Sequence, residues 1–195
     1  MSKSRFGGGT IRKLWVTETE KFRDHLLRLD IESRRMRFGM AIDDAFIENY
    51  AERADFIKSV IYGYFVGGEM RAAAELRTIG EGWSQEAEAA FSVETDWQDT
   101  GVGTDLLGRI ILAARNRGIE RLYMNCLSEN RKMQRIARKY EAELHFDHGE
   151  VVGQVKTTGP TPASLWSEAI DDGNRFVMAV LELPLRAAAG GVIRA

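Results

Sequence analysis

Residues 87–104 hold the residue types of this chain that are best suited to chemistry, in a strand-like segment that runs into a glycine turn. Gly101 and Gly103 lie where the alternating strand pattern changes to helical spacing. Glycines let a backbone approach a ligand closely, and the unpaired N–H groups at a helix start favour phosphate oxygens. The segment therefore predicts an anion site, and an ordinary tight turn into a helix is the simpler alternative.

Two common phosphate-binding loops do not fit this turn. A P-loop has Lys and then Ser or Thr after its last glycine, whereas Gly108 is followed by Arg109 and Ile110. A dinucleotide fingerprint has a third small residue, whereas Gly103 is followed by Thr104, and its strand comes first in the domain. The sequence therefore argues against ATP hydrolysis and against a Rossmann site.

Glu88 is the candidate general base. One face of the predicted strand carries Glu88, Ala90, Ser92 and Glu94, and we expect this face to line a cleft. Glu94 adjoins the predicted anion site, whereas Glu88 lies six residues earlier, about 20 Å along an extended strand. Glu75 on the preceding strand is the rival base. The alternative without chemistry is that Glu88 is a surface carboxylate paired with Arg71 or Arg77.

The histidines over 145–148 and the single cysteine do not predict a metal site or a nucleophile. The alternation over 145–148 sends His145 and Asp147 to one strand face and His148 to the other, which argues against a metal site. The single cysteine, Cys126, excludes an internal disulfide and is expected to be a small core residue.

The composition describes one globular domain. The chain has 195 residues, a formal charge of −2 and 44% hydrophobic residues. A chain of this length buries roughly 70% of its unfolded surface, so it needs no disulfide or structural metal. No repeat or linker divides the chain. We predict a single domain over 11–186, in which 156–186 is a C-terminal extension, between flexible tails at 1–10 and 187–195.

The same composition limits location and partners. The near-neutral charge balance lacks the basic footprint of a nucleic-acid binder. No stretch approaches the ~20 apolar residues of a membrane span, and residues 1–10 lack the apolar core of a signal peptide. We therefore expect a cytoplasmic protein with no nucleic acid and no membrane among its partners.

Helices are expected to precede the main sheet. After a short strand over 11–16, Thr17 and Glu20 form a capping box for a first helix that runs toward the basic segment 32–38. Asp43 caps a second helix. The next segments alternate like strands and are separated by glycines. They predict an antiparallel meander of strands over 56–66, 70–79 and 87–94.

The second half of the chain begins with a β-α-β unit. Leu106 to Ala114 form an amphipathic helix and 121–127 form a strand, so this strand pairs in parallel with the one before the helix. Another helix follows Ser128 or Asn130, with a basic face that we expect to be largely solvated. Beyond this helix we predict a strand over 145–156 and then a helix opened by Thr161 and Pro162. The segment over 176–183 fits a strand or a helix equally well.

The turn sequence from Gln98 to Gly103 resembles the Gln/Arg-x-x-Gly-x-Gly/Ala signature of the GNAT superfamily of N-acetyltransferases. The order of elements over 11–150 is also similar to that of this superfamily. Residues 29–38, together with Ala87-Glu88 ahead of Trp97-Gln98, are most similar to bacterial domains of the protein lysine acetyltransferase type. The resemblance implies an α+β fold, in which helices flank a mixed, mostly antiparallel twisted sheet with a β-α-β core that binds acetyl-CoA.

The resemblance further implies acetyl-CoA as co-substrate and no metal. The turn N–H groups would hold the pyrophosphate, and the pantetheine would lie along 90–93, where two parallel strands splay apart. Asn130 would contact the pantetheine, and Arg131 and Arg135 would meet the nucleotide phosphates. The implied cofactor-binding residues are Phe91, Ser92, Val93, Gln98, Asp99, Thr100, Gly101, Val102, Gly103, Thr104, Asn130 and Arg131.

The implied reaction is direct acetyl transfer to a primary amine. Glu88 lies ten residues before Gln98, a spacing similar to that of the catalytic glutamate in lysine acetyltransferases of the superfamily. A lysine amine has a reference pKa of about 10.4, so a base must remove a proton before attack. A strand N–H near Val93 would stabilise the oxyanion.

The sequence leaves open which group acts as the general acid that protonates the departing thiolate. Many members of the superfamily place a tyrosine seven residues after the asparagine, where this chain has Ala137. Tyr140 lies on the apolar stripe of its helix and is expected to pack, so the acid is Ser128, water or no group.

Two functions remain after these observations. The first is an N-acetyltransferase that acts on a protein lysine or a small-molecule amine. The second is a catalytically silent acyl-CoA-binding module that senses the cofactor or pairs with a partner protein, which the missing tyrosine favours. The expected assembly is a monomer or a homodimer.

Overall fold

The computed structural model describes residues 8–55, 58–80 and 85–170. The predicted tail at 187–195, residues 1–7 of the N-terminal tail, the predicted segment 176–183 and the predicted domain limit at 186 lie outside these residues. The limits of the domain therefore stay a prediction.

The described residues contain one seven-stranded mixed sheet in the order β1-β2-β3-β4-β5-β7-β6. Its strands are β1 (Thr10–Lys13), β2 (Ser59–Val66), β3 (Glu69–Thr78), β4 (Glu86–Val93), β5 (Arg121–Leu127), β6 (Glu143–Asp147) and β7 (Glu150–Lys156). The β4–β5 pair is parallel and the other pairs are antiparallel. The predicted meander, the β-α-β unit and the α+β class are confirmed.

Helices cover both faces of the sheet. They are α1 (Thr19–Arg28), α2 (Ile31–Phe38), α3 (Asp44–Glu52), α4 (Val102–Asn116), α5 (Arg131–Lys139) and a further helix, α6, which occupies 162–170. Short 3-10 turns at Val16–Glu18 and Thr95–Trp97 precede α1 and follow β4. Within the described residues, no helix has the length and apolarity needed to cross a membrane.

The predicted capping box of Thr17 and Glu20 is wrong. Glu18 supplies the contact instead, and its Oε2 accepts a hydrogen bond from the Trp15 N–H at 3.3 Å. The same carboxylate pairs with Arg12, at 2.6 Å from Nη1. This ion pair fixes Glu18 at the start of the helical region, so α1 begins at Thr19.

The first predicted helix also divides into two. Leu29 has an extended backbone, and Asp30 then caps α2, its Oδ1 accepting from the Ser33 N–H at 2.7 Å. The basic segment 32–38 therefore lies in a separate helix. Asp43 caps α3 as predicted, its side chain accepting from the Phe46 N–H.

The predicted strand over 145–156 is a hairpin rather than one strand. His148 and Gly149 have φ values of 39° and 94°, and Asp147 pairs with Glu150 across the turn. The polar–apolar alternation stops at Asp147, and the residues from there to Glu150 are polar or glycine, a turn signal that the single-strand prediction passed over. His148 consequently lies in the turn, beside Asp147, and not on a strand face.

Two hydrophobic cores hold the sheet between the helices. On one face, α4 packs Leu106, Leu107 and Ile110 against Leu122 and Met124 of β5, all buried. On the other face α1 and α3 pack on the meander, with Phe22, Leu26, Ile47, Ile61 and Met70 buried. The first core fixes the start of α4 against the end of β4, and the second fixes α1 beneath the same strand.

Residues after β7 dock on the far end of α4. Thr161 and Ser164 exchange hydrogen bonds at the start of α6, which confirms the predicted helix start. Glu168 then accepts hydrogen bonds from Asn116 at 2.6 Å and Arg117 at 3.0 Å. The extension therefore stabilises α4 at the end opposite its glycine turn.

Candidate active site

The site lies where β4 and β5 separate. These parallel strands pair at only three positions, the last being Glu88 with Tyr123. Beyond that point β4 continues beside β3 as far as Val93, while β5 continues beside β7 as far as Leu127. The separation leaves a notch in the middle of the sheet, as the splayed strands of the sequence analysis require.

Two adjoining cavities follow this notch. The larger, the loop cleft, has a volume of about 720 Å³ and is lined by the glycine turn, by 91–93 of β4 and by the start of α5. The smaller, the carboxylate pocket, has a volume of about 350 Å³ and is lined by Glu75, Arg77, Glu88, Asn125 and Glu150 among others. Asn130 and Phe91 line both, so the cavities meet at the notch.

The glycine turn presents a helix start to the loop cleft. Gly101 has a φ of 94°, a left-handed conformation that side chains disfavour, and α4 begins at the next residue. The first N–H groups of a helix have no acceptor within the helix. Here the Thr104 N–H bonds to the Gly101 carbonyl at 2.9 Å, so the donors that remain at the cleft wall are those of Gly101, Val102 and Gly103. This donor set and the positive end of a 15-residue helix suit a pyrophosphate.

Side chains of the turn fix its shape. Gln98 donates from Nε2 to the Val93 carbonyl at 3.1 Å and to Ser33 Oγ at 3.3 Å. Thr100 donates its hydroxyl to the Trp97 carbonyl at 2.7 Å. Gln98 of the predicted signature therefore joins the turn to the end of β4 and to α2, a role that sequence spacing does not reveal.

Lys132 is a cleft residue that the sequence analysis missed. Its Nζ lies 3.0 Å from Gln98 Oε1 and 2.7 Å from Asp99 Oδ2, and the hydrogen bond lowers the pKa of Asp99. The predicted Arg131 also lines the cleft, but its guanidinium contacts Gln134 at 3.3 Å. Four cations of α5 line this cleft: Arg131, Lys132, Arg135 and Lys139.

Asn130 stands at the start of α5. Its Oδ1 accepts a hydrogen bond from the Met133 N–H at 3.0 Å, so the side chain caps the helix. The cap fixes this residue at the junction of the two cavities, opposite β4.

Glu88 lines the carboxylate pocket and has two partners. Its Oε1 accepts from Asn125 Nδ2 at 3.1 Å, across the gap between β4 and β5. Its Oε2 lies 3.3 Å from Nη2 of Arg77. The pairing with Arg77 that the sequence analysis weighed as the alternative is therefore present, in a residue that also lies in the pocket.

Glu75, the rival base, is committed to a buried ion pair. Its Oε2 lies 3.1 Å from Nη2 of Arg37 and accepts a hydrogen bond from the Tyr50 hydroxyl. Both charged side chains are only 8% exposed. Burial raises the pKa of Tyr50, which keeps its hydroxyl a donor. Glu75 thus holds α2, α3 and β3 together at the pocket wall.

The expected cleft face of β4 divides in two. Glu88 faces the carboxylate pocket, whereas Ser92 Oγ is hydrogen-bonded to Nε2 of the buried His25 at 2.9 Å. Glu94 is held by His25, by Arg28 at 2.9 Å and by Arg71 at 3.0 Å. Burial lowers the pKa of His25, so the ring is neutral: Nδ1–H donates to the Glu94 carboxylate and Nε2 accepts from the Ser92 hydroxyl. The expectation that Ser92 and Glu94 face a cleft with their side chains is wrong, because α1 covers them.

The candidates for the general acid lie apart from the notch. Tyr140 donates its hydroxyl to the Thr104 carbonyl at 3.0 Å, behind the glycine turn. The Ser128 N–H donates to the Gly149 carbonyl, and Ser128 lines neither of the two cavities. Cys126 lines the carboxylate pocket, and burial raises the pKa of its thiol.

Comparison with known proteins gives a family match that includes the glycine turn, Glu88 and Asn130. The model of the acetyltransferase (GNAT) family matches residues 23–141. Acetyltransferase Pat of Mycolicibacterium smegmatis is 27% identical over 124 residues, which are 63% of this chain and 37% of that protein. The chain thus spans little more than a third of the length of this curated relative.

Solved structures show the same fold. The GNAT domain of S. lividans PAT has a TM-score of 0.66 at 27% identity, over 77% of this chain and 91% of that one. A cAMP-binding acyltransferase from Mycobacterium smegmatis has a TM-score of 0.59 at 22% identity, over 92% of this chain and 55% of that one. RimL, a ribosomal α-N-protein acetyltransferase in complex with coenzyme A, has a TM-score of 0.63 at 13% identity, over 78% of this chain and 96% of that one. The last two are similar in fold alone.

Proposed function

Since the chain belongs to the acetyltransferase (GNAT) family, we propose that it transfers an acetyl group from acetyl-CoA directly to a primary amine, on a protein lysine or a small molecule. The notch between β4 and β5 carries the proposal. A phosphate-sized donor set lies at one end of it and the Glu88 carboxylate at the other.

The loop cleft suits the charged part of acetyl-CoA. Backbone N–H groups of the glycine turn would hold the pyrophosphate, and Lys132 would move from Asp99 to a phosphate oxygen. Asn130 would contact the pantetheine arm of acetyl-CoA, and Arg131 would contact its nucleotide phosphates. The main chain over 91–93, rather than the side chain of Ser92, would accompany the pantetheine, because the hydroxyl is bonded to His25. Bound acetyl-CoA would supply the thioester that the amine attacks.

Glu88 would act as the general base. It takes a proton from the acceptor ammonium, the amine nitrogen forms a bond to the thioester carbonyl carbon, and the carbon–sulfur bond breaks. The Val93 N–H would stabilise the oxyanion formed in between. The departing thiolate would take its proton from water, because Ser128, the other candidate, lines neither cavity. Because position 137 is Ala, no tyrosine acid is assigned.

A silent acyl-CoA-binding module is the second candidate. Ala137 replaces the usual acid, and both oxygens of Glu88 already have partners in the structure. Such a module would bind acetyl-CoA in the loop cleft without turning it over. The match covers only 37% of acetyltransferase Pat, so that protein's partners are not carried over to this chain, and a partner protein for such a module is a proposal.

Mass spectrometry of the protein incubated with acetyl-CoA and a panel of amines separates the two. The panel contains polyamines, aminoglycosides, amino acids and lysine peptides, and the same mixture without protein is the control for uncatalysed acetylation. Acetylation of any amine by the wild type above that control supports the enzyme. Binding of acetyl-CoA with no acetylated product would support the silent module.

A further inference from the structure

The carboxylate pocket contains two arginines in the described part of the chain, and they differ in their environment. Arg37 is 8% exposed and committed to Glu75 and Tyr50. The Arg77 side chain is 56% exposed and contacts Glu88 at 3.3 Å, the long end of hydrogen-bond distances. Arg77 is therefore a cation that a ligand can reach without breaking a buried ion pair.

Arg77 also occupies an oxygen that the proposed base needs. Glu88 Oε1 is held by Asn125, and Oε2 is the oxygen that Arg77 contacts. An acceptor ammonium that approaches Oε2 meets the guanidinium, which repels it. The pocket becomes suited to an ammonium once Arg77 turns toward another anion.

The other charges of the pocket allow one source for that anion. Glu75 is buried against Arg37. Glu150 pairs with Leu127, four positions along β5 from Tyr123, the partner of Glu88, so about 13 Å of strand separates it from the level of Glu88. Glu86, next to the pocket on β4, is held by Arg121 at 2.6 Å and by Tyr123 at 3.2 Å. A carboxylate carried in by the acceptor is the remaining partner for an exposed guanidinium.

We infer that the acceptor is a primary amine that carries a carboxylate close to it, and that Arg77 binds this carboxylate and so releases Glu88 Oε2. The inference rests on the proposed acetyl transfer. Two sources share the chemistry: a free amino acid, or a protein lysine beside an acidic residue. Arg77 is then a specificity-determining residue, and Glu88 becomes available only when the correct acceptor is bound.

Two matched pairs of acceptors test this inference and separate the sources. Free lysine is compared with cadaverine, which lacks only the carboxylate, and a peptide with Lys followed by Glu is compared with its Gln counterpart. We expect the wild type to prefer the acidic member of at least one pair by about 10- to 100-fold in kcat/KM, the value of one charge-assisted hydrogen bond. The pair that shows the preference identifies the source.

Variants of Arg77 distinguish recognition from structure. Arg77→Met is expected to bring the ratio within each pair close to one, and Arg77→Glu to favour a peptide with Lys beside Lys over the one with Glu. Arg121→Met is the control, because Arg121 is a similarly exposed arginine, lies on β5 beside β4, and is paired with Glu86. This control is expected to keep the wild-type ratio.

Equal kcat/KM within both pairs for the wild type would overturn the inference and leave acetyl transfer standing. An unchanged preference in both Arg77 variants would overturn it as well. Turnover of another amine of the panel with no acetylation of these four acceptors would overturn the inference alone. No acetylation of any amine in the panel would overturn it together with the proposed function.

Discussion

His25 Nε2 lies 2.9 Å from Ser92 Oγ, and this contact joins helix α1 to the end of β4. The other ring nitrogen, Nδ1, lies 3.1 Å from Glu94 Oε1. The imidazole is fully buried, and burial lowers its pKa. The serine, histidine and glutamate lie in the order of a hydrolase triad, but burial gives them a structural role. They fix the strand end from which the glycine turn departs.

This arrangement predicts a pH dependence of stability. A lowered pKa means that the unfolded state binds a proton more readily, so the stabilisation is present above about pH 6.5 and is lost as pH falls below it. We expect the free energy of unfolding in urea to decrease from pH 7 to pH 5. His25→Gln should lose most of this decrease, whereas the same substitution at the exposed His148 should keep it. An equal decrease in His25→Gln would contradict the assignment.

Lys132→Met should weaken coenzyme A binding by about tenfold, the value of one hydrogen bond to a charged group. The lysine contacts the glycine turn through Gln98 and Asp99. Calorimetry measures the change, with Arg138→Met as control, since Arg138 is exposed on the same helix and lines neither cavity. An equal loss in the control would show that the basic helix acts only through its overall charge.

Gly103→Val should weaken coenzyme A binding strongly and leave the fold largely intact, because a side chain there intrudes where the backbone would meet the pyrophosphate. A Cβ at this position lies 3.1 Å from Ile136 Cδ1, so crowding between α4 and α5 is a second effect. The double variant with Ile136→Ala removes that crowding. Calorimetry should still find weak binding in it. Recovery of affinity would assign the loss to packing.

Tyr140→Phe should retain turnover. The hydroxyl donates to the Thr104 carbonyl, and its removal is expected to cost about 1 kcal/mol of stability without touching the notch. Steady-state kinetics and thermal unfolding check both parts. A substantial fall in kcat with unchanged acetyl-CoA affinity would instead make Tyr140 the missing acid.

Much of the fold could be predicted from local patterns. The meander, the β-α-β unit and the helix start after Gly101 are set by alternation, helical spacing and turn glycines, which neighbouring residues determine. Where a pattern does not change at a boundary, the prediction was wrong. The break at Asp30 is such a boundary. The hairpin at His148 was missed for another reason, since Asp147 and Gly149 do mark a turn and the prediction gave them no weight.

The site could be predicted only where it is local. The glycine turn and Glu88 share one segment of chain, so sequence spacing alone could propose both as candidates. The contacts of His25 with Ser92 and of Lys132 with Asp99 join residues 67 and 33 positions apart. Such contacts depend on how α1 and α5 pack on the sheet, and a single sequence carries no signal of that packing.

Glu88 is the residue on which the proposed chemistry depends most. Its side chain reaches the pocket from the last paired position of β4 and β5. Glu75→Gln is the matched control on the next strand. It removes one partner of a buried ion pair, so it should cost about 3–5 kcal/mol of stability and leave kcat of the folded protein comparatively unchanged.

The most direct test is kcat of Glu88→Gln for acetyl transfer, measured against wild type at neutral and high pH with an acceptor found in the amine panel. We predict a decrease of about 10²–10⁴-fold at neutral pH, nearly unchanged acetyl-CoA affinity, and partial recovery at high pH, where the amine loses its proton unaided. Wild-type turnover by Glu88→Gln at neutral pH would contradict the account.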